Sequence, residues 1–433
     1  MQNSIVMNAP TTRTYGVADI LGMFIDITNI RIEGYDGSEL GPEDSPIGVR
    51  IKSVRALQYL VQSPGELGLT RAYVSGELTL LGLEPGDPYP LLNAIIAYRK
   101  VEKPTPTQLL EAMRYLGRDA LKPLAPPAEE HIAGWRRRLR GLTHSKSRDA
   151  AAISHHYDVS SDFYRLMIGQ SMTYTCAVYD TPETTLEDAQ DRKHQLIFEK
   201  LALKPGDRLL DIGCGWGGMA RYAAARGVRV LGVTLAGEQV QRARELVEAE
   251  GLSDLVTIKH SDYRDVTETG FDAISSIGMT EHIGLDQYPS YFKFFNDHLR
   301  DDGRMLIHCV TRARNDRRGR GQALMDRYIF PDGELTGSGR LIAEIQDAGL
   351  EVMHEENLRR HYALTLRDWS VNFNENWDEV VDEVGMGTAR VWSLMLAGGR
   401  MAFDRGYIQH HQILAAKVDN GMTDLPLGQW WER

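Results

Sequence analysis

Two hydrophobic patterns alternate along the C-terminal half of the chain, from about residue 190 onward. Short, mainly apolar runs are separated by longer segments in which apolar residues recur every three or four positions. The short runs are typical of buried parallel strands, and the longer segments are typical of helices that cover them. The pattern predicts strands at 208–212, 228–234, 256–259, 271–276 and 303–308, and helices that include 236–250 and 288–299. This order of elements predicts a doubly wound α/β sheet.

The N-terminal part of the chain has a different pattern. Residues 30–37 and 48–53 are predicted to be strands, and residues 109–116 an amphipathic helix. The segment Lys-Pro-Leu-Ala-Pro-Pro at 122–127 breaks the pattern and is interpreted as a linker. We therefore predict three parts, namely a smaller α+β domain at 1–125, a linker with a basic helix at 126–150, and the α/β domain at 151–433.

Composition excludes several classes of protein. The net charge of −11 over 433 residues argues against nucleic-acid binding. No apolar run reaches the roughly 18 to 20 residues that a membrane span needs. The three cysteines have no CxxC spacing, so neither a zinc site nor any other metal site is predicted. We expect a cytoplasmic protein.

Positive charge is nevertheless concentrated in two places. These clusters are interpreted either as solvated loops or as patches that meet anionic lipid headgroups, where each cation is worth about 1 kcal/mol. The second interpretation places the protein at the inner face of the cell membrane, as a peripheral protein. The first cluster comprises Arg136, Arg137, Arg138, Arg140, Lys146 and Arg148, and the second comprises Arg312, Arg314, Arg317, Arg318 and Arg320.

A glycine-rich turn follows the first predicted strand of the α/β domain. Gly213, Gly215 and Gly218 satisfy the GxGxxG pattern of dinucleotide-binding turns. A nicotinamide site also needs an acid at the end of the second strand, but residues 232–236 contain none. Instead Asp211 lies within the first strand, where an acid suits the cationic, amino-acid-bearing end of S-adenosylmethionine (SAM). The turn therefore predicts a class I, Rossmann-like SAM-dependent methyltransferase core rather than a nicotinamide enzyme.

Several further motifs occur in a specific order between about residues 150 and 420. Together they closely resemble the cyclopropane-fatty-acid synthase family, which includes the mycolic acid cyclopropane synthases. The N-terminal part resembles, more weakly, the lipid-binding domain of the longer bacterial members. The motifs are Tyr-Thr-Cys-Ala at 174–177, the glycine-rich turn, Gly-Val-Thr at 232–234, Asp-Tyr-Arg-Asp at 262–265, Gly-Met-Thr-Glu-His-Ile-Gly at 278–284, Tyr-Ile-Phe-Pro-Asp-Gly at 328–333 and His-Tyr at 361–362.

The resemblance implies methyl transfer from SAM to a cis double bond in an acyl chain of a membrane phospholipid. The product is a cyclopropane or, as in some actinomycete members that residues 70–77 resemble, a 10-methylene branch. The resemblance also implies positions around the cofactor. Tyr174 and Thr175 would close over SAM, and Gly213, Gly215 and Gly217 would line its site. Thr234 and Gln239 would hold the ribose end, and Tyr263 and Arg264 would flank the adenine.

The resemblance also implies a bound bicarbonate, held by Cys176, Glu281, His308, Tyr362 and the backbone near Val310. The chemistry needs a base, because one proton must leave the transferred methyl group. Glu281 is the candidate for this role, alone or through the anion. Outside the resemblance, Glu281 is typical of a helix cap and His308 of a buried core residue.

Two alternatives remain open. One is a methyltransferase for a soluble small molecule, which would need neither the N-terminal domain nor the basic patches. The other is a lipid-binding protein with an inactive methyltransferase core. Two partners also remain open, a second copy in a homodimer and, for a methylene product, a reductase.

Overall fold

The computed structural model describes residues 16–23, 29–63, 65–97, 105–117, 122–130, 160–315, 324–329, 334–418, 421, 423 and 425–431. The chain divides into two compact units, Met1–Glu84 with Pro90–Pro127, and Pro85–Tyr89 with Ala128–Arg433. The predicted basic helix and the first cationic cluster lie outside the described residues. Of the second cluster, only Arg312 and Arg314 are described.

The first unit is built on a four-stranded sheet with the order β2-β1-β3-β4, in which β1 and β3 are parallel. Apolar side chains of α2 and of the sheet, such as Leu57 and Val49, are buried in its core. The predicted amphipathic helix is α5, although Leu110 and Met113 on its apolar face are exposed. The elements in this part of the chain are α1 (Val17–Gly22), β1 (Arg31–Glu33), β2 (Glu39–Leu40), β3 (Gly48–Ile51), α2 (Val54–Gln62), α3 (Glu66–Val74), β4 (Leu78–Leu81), α4 (Tyr89–Ala97) and α5 (Pro106–Leu116).

The second unit is a seven-stranded sheet flanked by helices. Its strands and short helices are β5 (Arg208–Ile212), β6 (Arg229–Thr234), β7 (Val256–His260), a 3-10 turn (Tyr263–Asp265), β8 (Phe271–Ile277), a 3-10 turn (Leu285–Gln287), β9 (Leu299–Arg312), a π-helical turn (Met325–Ile329), β10 (Glu351–Asn357) and β11 (Ile408–Ala416). Its α-helices are α6 (Ser161–Ile168), α7 (Leu186–Lys200), α8 (Gly218–Ala224), α9 (Gly237–Ala249), α10 (Thr280–Ile283), α11 (Tyr288–His298), α12 (Ser338–Asp347), α13 (Arg359–Glu375), α14 (Trp377–Val384) and α15 (Met386–Asp404).

The strand order β10-β11-β9-β8-β5-β6-β7 confirms the doubly wound prediction. Strands β6, β7, β8 and β9 continue the parallel sheet on either side of β5, whereas β11 runs antiparallel to both β9 and β10. The five predicted strands all exist, and β9 is longer than predicted at both ends, since it begins at Leu299 and continues to Arg312. Strands β10 and β11 were not predicted.

Alternating side chains of the central strands supply the core on both faces of the sheet. Leu209 and Leu306 pack on one face, and Leu210 and Ile307 on the other. Fully buried parallel strands are expected to be apolar throughout, which is why they were recognisable in the sequence. Ligands of such sheets bind beyond the carboxyl ends of the strands. That edge carries the glycine-rich turn after β5 and the segment after β8.

Within the described residues, no helix is both long enough and apolar enough to cross a lipid bilayer.

Candidate active site

The turn between β5 and α8 owes its shape to glycines in the left-handed region. Gly213, Gly215 and Gly217 have φ values of +72°, +54° and +77°. A Cβ on Gly215 would meet no heavy atom within 4 Å, so this glycine leaves open space beside the turn. A Cβ on Gly217 would instead approach Ala243 at 3.5 Å, so this glycine faces α9 and caps α8. A Cβ on Gly213 would lie 3.2 Å from Met279 Sδ, so of these three glycines only Gly215 leaves open space for a ligand.

A cavity of about 940 Å³, including its open mouth, lies over this turn. Eight of the ten residues predicted to bind the cofactor line it, and Gly217 and Arg264 do not. The eight are Tyr174, Thr175, Asp211, Gly213, Gly215, Thr234, Gln239 and Tyr263. Residues that sequence reasoning missed also line it, among them Thr173, Lys193, His194, Trp216, Ser261, Met279 and His282.

The ends of β6 and β7 form one side of this cavity. Thr234 Oγ1 lies 3.2 Å from Gln239 Oε1, so the two side chains predicted to hold the ribose are joined. The ring of Tyr263 is buried at the same side. Arg264, predicted to flank the adenine, is bound to Asp262 through two hydrogen bonds of 2.8 and 2.6 Å. Arg264 therefore orders the turn after β7 rather than lining the cavity.

Two buried charged groups lie on the other side of the cavity, near β5 and α7. Asp211 is 2% exposed and accepts a 2.7 Å hydrogen bond from Ser275 Oγ. Lys193 is fully buried, and its Nζ donates a 2.9 Å hydrogen bond to Thr175 Oγ1. Burial raises the pKa of Asp211 to about 7 and lowers the pKa of Lys193 to about 7, since each charged form loses its hydration.

Aromatic rings form the wall next to Thr175. Tyr174 stacks on Trp369 with ring centroids 5.1 Å apart, and Trp216 packs against Tyr164 at 4.9 Å. Trp369 and Tyr164 are almost completely buried. This wall is apolar and excludes water from that side of the cavity. The predicted closure of Tyr174 over the cofactor is compatible with its position in the wall.

Glu281 is held by the backbone of β9. Its Oε1 accepts a 2.6 Å hydrogen bond from the Val310 amide. Its other oxygen, Oε2, is buried and has no partner among the described residues. Burial raises the pKa of Glu281 to about 7, against a smaller opposing effect of the Val310 amide. A buried carboxyl oxygen without a partner is costly, and it is the kind of group that accepts a proton from a ligand.

His308 lies on β9, two residues before Val310, and its hydrogen-bond partners determine its tautomer. Lys200 Nζ donates to Gln412 Oε1 at 2.8 Å, which turns the amide nitrogen of Gln412 towards His308 Nδ1, 3.1 Å away. Because that nitrogen can only donate, Nδ1 accepts, and His308 Nε2 carries the proton that it donates to the Cys176 carbonyl at 3.1 Å. Burial holds the pKa of His308 well below its usual value, so the ring is neutral.

Cys176 lies beside this histidine, and Tyr362 lies on α13. The Cys176 thiol is buried and contacts the Leu358 carbonyl at 3.8 Å, and burial raises its pKa. It is therefore a buried thiol rather than a nucleophile. Tyr362 stacks on Phe403 at 4.5 Å. Of the predicted bicarbonate set, Glu281 thus binds Val310, whereas His308 binds Cys176.

His410 on β11 was missed by sequence reasoning. Its ring lies 4.1 Å from that of His308 and 5.1 Å from that of Tyr362, so it joins these two predicted residues. Both of its ring nitrogens are buried and without a hydrogen-bond partner in the part of the chain that the structure describes. Cys176, His308 and His410 bring ligand-type atoms within 4.8 Å of one another, but His308 uses both nitrogens in bonds to the protein. The arrangement thus suits a small polar ligand better than a metal ion.

Comparison with known proteins places this site in a family. The model of the mycolic acid cyclopropane synthetase family matches residues 144–413. The chain belongs to this family. It is 53% identical over 425 residues to a "probable fatty acid methyltransferase" of Mycobacterium tuberculosis, an alignment that covers 98% of this chain and all of that protein. It is 37% identical over 280 residues to the cyclopropane-fatty-acyl-phospholipid synthase of Escherichia coli K12, covering 64% of this chain and 71% of that protein.

Solved structures agree with this assignment. The cyclopropane synthase MmaA2 from M. tuberculosis is 29% identical, with a TM-score of 0.58 over 62% of this chain and 98% of that one. The mycolic acid cyclopropane synthase CmaA1 in complex with SAH and CTAB is 31% identical, with the same TM-score and coverage. The predicted family and the class I fold are thereby confirmed. The protein is a SAM-dependent methyltransferase of the cyclopropane synthase family. The cavity over the β5 turn is the candidate cofactor pocket.

Proposed function

We propose that this protein transfers the methyl group of SAM to a cis double bond in an unsaturated fatty acyl chain of a membrane phospholipid. The observation that carries the proposal is Glu281 Oε2, a buried and unpartnered carboxyl oxygen beside the residues that follow β8. The names of the E. coli and M. tuberculosis relatives, a cyclopropane-fatty-acyl-phospholipid synthase and a probable fatty acid methyltransferase, support a fatty acyl acceptor. A soluble amine acceptor would bring its own dissociable proton and would not need such a group.

When bound, SAM supplies an electrophilic methyl group. Attack by an alkene leaves a positive charge on the neighbouring carbon, so water must be kept away from the site. The aromatic wall of Tyr174, Trp369 and Trp216 serves that purpose. The faces of these aromatic rings also stabilise a nearby positive charge better than an aliphatic wall of the same size would.

Completion of the reaction requires the loss of one proton from the transferred methyl group. Glu281 can receive a proton at Oε2, since this oxygen has no other partner within the described structure. The Val310 amide keeps the carboxyl group oriented through Oε1. A pKa of about 7 suits this task, because the group is partly ionised at neutral pH and still basic enough to accept a proton.

The residues present also fit a bound bicarbonate. A bicarbonate ion needs an acceptor for its hydroxyl and donors for its oxygens. Glu281 Oε2 and the ring of His410 are the two groups without partners among the described residues, and Val310 connects them, because its amide binds Glu281 and it lies opposite His410 in the sheet. His308, Cys176 and Tyr362 would complete the wall around it. Such an ion would supply a base beside the transferred methyl group. Glu281 would then hold the ion through the shared proton, because two adjacent anions repel each other.

The product follows from the position of the positive charge rather than from the base. Loss of a methyl proton closes a cyclopropane if the charge stays in place. A hydride shift before that loss gives an exocyclic methylene, which a partner reductase could later saturate. We propose the methylene product, on the resemblance of residues 70–77 to actinomycete members of the family.

The acyl chain must reach the cavity without crossing water. Exposing about ten methylenes would cost roughly 8 kcal/mol at about 0.8 kcal/mol each. We therefore propose that the protein acts as a peripheral protein on the inner, anionic face of the membrane. Turnover should then be faster on anionic than on neutral vesicles and should fall with salt. Equal rates on both vesicle types at every salt concentration would contradict this.

The decisive experiment offers methyl-labelled SAM to oleoyl phospholipid vesicles and, separately, to soluble amines. We expect label in the lipid acyl chain, and mass-spectrometric fragmentation would distinguish a ring from a methylene branch. Glu281→Gln on the same vesicles controls for transfer without the proton acceptor. Label in the amines alone would support the soluble-substrate alternative, and SAM binding without any transfer would support an inactive core.

A further inference from the structure

Lys193 has an unusual environment for a lysine. It is fully buried on α7 and lines the cofactor pocket together with Thr175 and Asp211. An ammonium group has three protons to donate, yet among the described residues Lys193 Nζ donates only one hydrogen bond, to Thr175 Oγ1. No described carboxylate lies within 4 Å of it. Buried ammonium groups are normally paired, so an anionic partner is to be expected in the pocket.

The cofactor carries one such anion. SAM has a sulfonium, an α-ammonium and a single negative group, the α-carboxylate of its methionine half. Thr234 and Gln239 are on the β6 side of the pocket, where the ribose is expected, whereas Lys193 and Asp211 are on the β5 side. The β5 side is therefore where the methionine half should lie.

We propose that Lys193 binds the α-carboxylate of SAM, while Asp211 across the same end of the pocket receives the α-ammonium. The two buried side chains then match the two charges of the amino-acid zwitterion. The hydrogen bond to Thr175 Oγ1 fixes the position of Lys193 Nζ. Lys193 is on this view a cofactor-binding residue that selects for an intact amino-acid group. The proposal concerns the cofactor alone and holds whatever the acyl acceptor is.

The test uses decarboxylated SAM, which lacks the carboxylate but keeps the sulfonium and the terminal amine. Calorimetry without lipid measures the dissociation constants of both cofactors for the wild type and for Lys193→Met. We expect the variant to bind SAM about 10- to 100-fold more weakly, the usual loss for a charge-assisted hydrogen bond, and decarboxylated SAM within about twofold of the wild type. Equal losses for both cofactors, or no loss for SAM, would overturn the proposal.

Lys200 provides a matched control. It is a second fully buried lysine on α7, two turns later, but it is bound to Glu356 and Gln412 and does not line the pocket. Lys200→Met removes the same group from the same helix, so it reports the general effect of that loss on folding. We expect it to keep the wild-type preference for SAM over decarboxylated SAM. If Lys200→Met also lost this preference, the weaker SAM binding of Lys193→Met would be due to changed packing of α7. That result would contradict a direct contact between Lys193 and the carboxylate of SAM.

A wild-type measurement keeps the proposal testable if Lys193→Met does not fold. With its pKa lowered to about 7, Lys193 is largely neutral at pH 8, and an arriving carboxylate should restore its proton. Titrations at pH 8 in two buffers of different ionisation enthalpy should therefore show more proton uptake with SAM than with decarboxylated SAM. The difference should vanish near pH 6, where Lys193 is already charged. Equal uptake of protons at pH 8 would contradict the proposal.

The other titratable groups around Lys193 do not produce this difference. Asp211, with a pKa of about 7, faces the amine, which both cofactors carry. The pKa of Cys176 is raised far from this range, and the pKa values of His194, His308 and His410 are lowered well below it. Removal of the carboxylate also raises the pKa of the cofactor's own amine. The amine of each free cofactor is therefore titrated separately, and its proton uptake on binding beside Asp211 is subtracted before the two cofactors are compared. The remaining difference reports the carboxylate and Lys193.

Discussion

Glu281 and Val310 are joined by a 2.6 Å hydrogen bond from the backbone amide of β9 to one carboxyl oxygen, while the second oxygen is left buried without a described partner. The two halves of the carboxyl group therefore have different tasks. Oε1 fixes the orientation of the side chain, and Oε2 is available to a proton or a ligand. Glu281 belongs to α10, a four-residue helix that follows β8. Its backbone is therefore positioned by β8 and its side chain by β9, through the Val310 amide.

Glu281→Gln should separate proton removal from cofactor binding. An amide keeps the size of the carboxyl group and can still accept from Val310, but it cannot accept a proton. We expect turnover on unsaturated phospholipid to fall by about 10²-fold or more, the usual loss for a positioned base, while the dissociation constant of SAM stays nearly unchanged. Calorimetry and a labelled-methyl assay measure the two quantities. Near-normal turnover would show that the proton leaves by another route.

The pH dependence of turnover should carry the signature of the same group. Burial raises the pKa of Glu281 to about 7, so the carboxylate form, which accepts the proton, becomes populated as the pH rises through that value. At saturating SAM, turnover should therefore increase from pH 6 to pH 8 with an apparent pKa of about 7. The rise should be absent from the residual activity of Glu281→Gln. A profile that is flat, or that falls over this range, would exclude the ionised carboxylate as the active form.

The sequence was sufficient to predict the parallel part of the sheet because β5, β8 and the middle of β9 are buried on both faces and are mainly apolar. The glycine-rich turn was equally recognisable, because several closely spaced glycines after a strand are typical of a tight ligand-binding turn. Strand β11 was not predicted, although it is almost entirely buried. Its residues Gln409 to Gln412 are polar in succession and do not resemble a core strand.

That omission explains which site residues were missed. His410 and Gln412 reach the site only because β11 runs antiparallel beside β9, with Val310 opposite His410 and His308 opposite Gln412. Lys193 was missed for a different reason. It lies in the run Glu-Asp-Ala-Gln-Asp-Arg-Lys-His at 187–194, which is typical of a solvated helix surface. Only the packing of α7 against the residues at 173–175 shows that this lysine is buried.

The cofactor turn can be tested with two glycines that differ only in what they face. Gly215 and Gly251 both have positive φ, +54° and +68°, and a Cβ on either would meet no heavy atom within 4 Å. Replacement by alanine should therefore impose a similar backbone cost of roughly 1 kcal/mol at each position. Gly215→Ala should weaken SAM binding by at least about tenfold because its methyl group enters the cofactor pocket, whereas Gly251→Ala should bind normally. Equal affinities in two folded variants would remove Gly215 from the cofactor site.

His308, Tyr362 and His410 should act as a unit if they enclose one small anion. We expect His308→Gln, Tyr362→Phe and His410→Gln each to lower turnover, and pairs of these changes to cost less than the sum of the single effects, because the second change removes contacts to a ligand already lost. His411→Gln is the matched control. His411 follows His410 on β11 but points to the opposite face, where it binds Thr311 and Glu355.

Turnover of these variants is measured with and without added bicarbonate in carbonate-depleted buffer. The wild type and His411→Gln should lose activity on depletion, whereas the three site variants should respond little. Additive losses, or a bicarbonate response that is unchanged in all three, would show that these side chains do not hold a common anion.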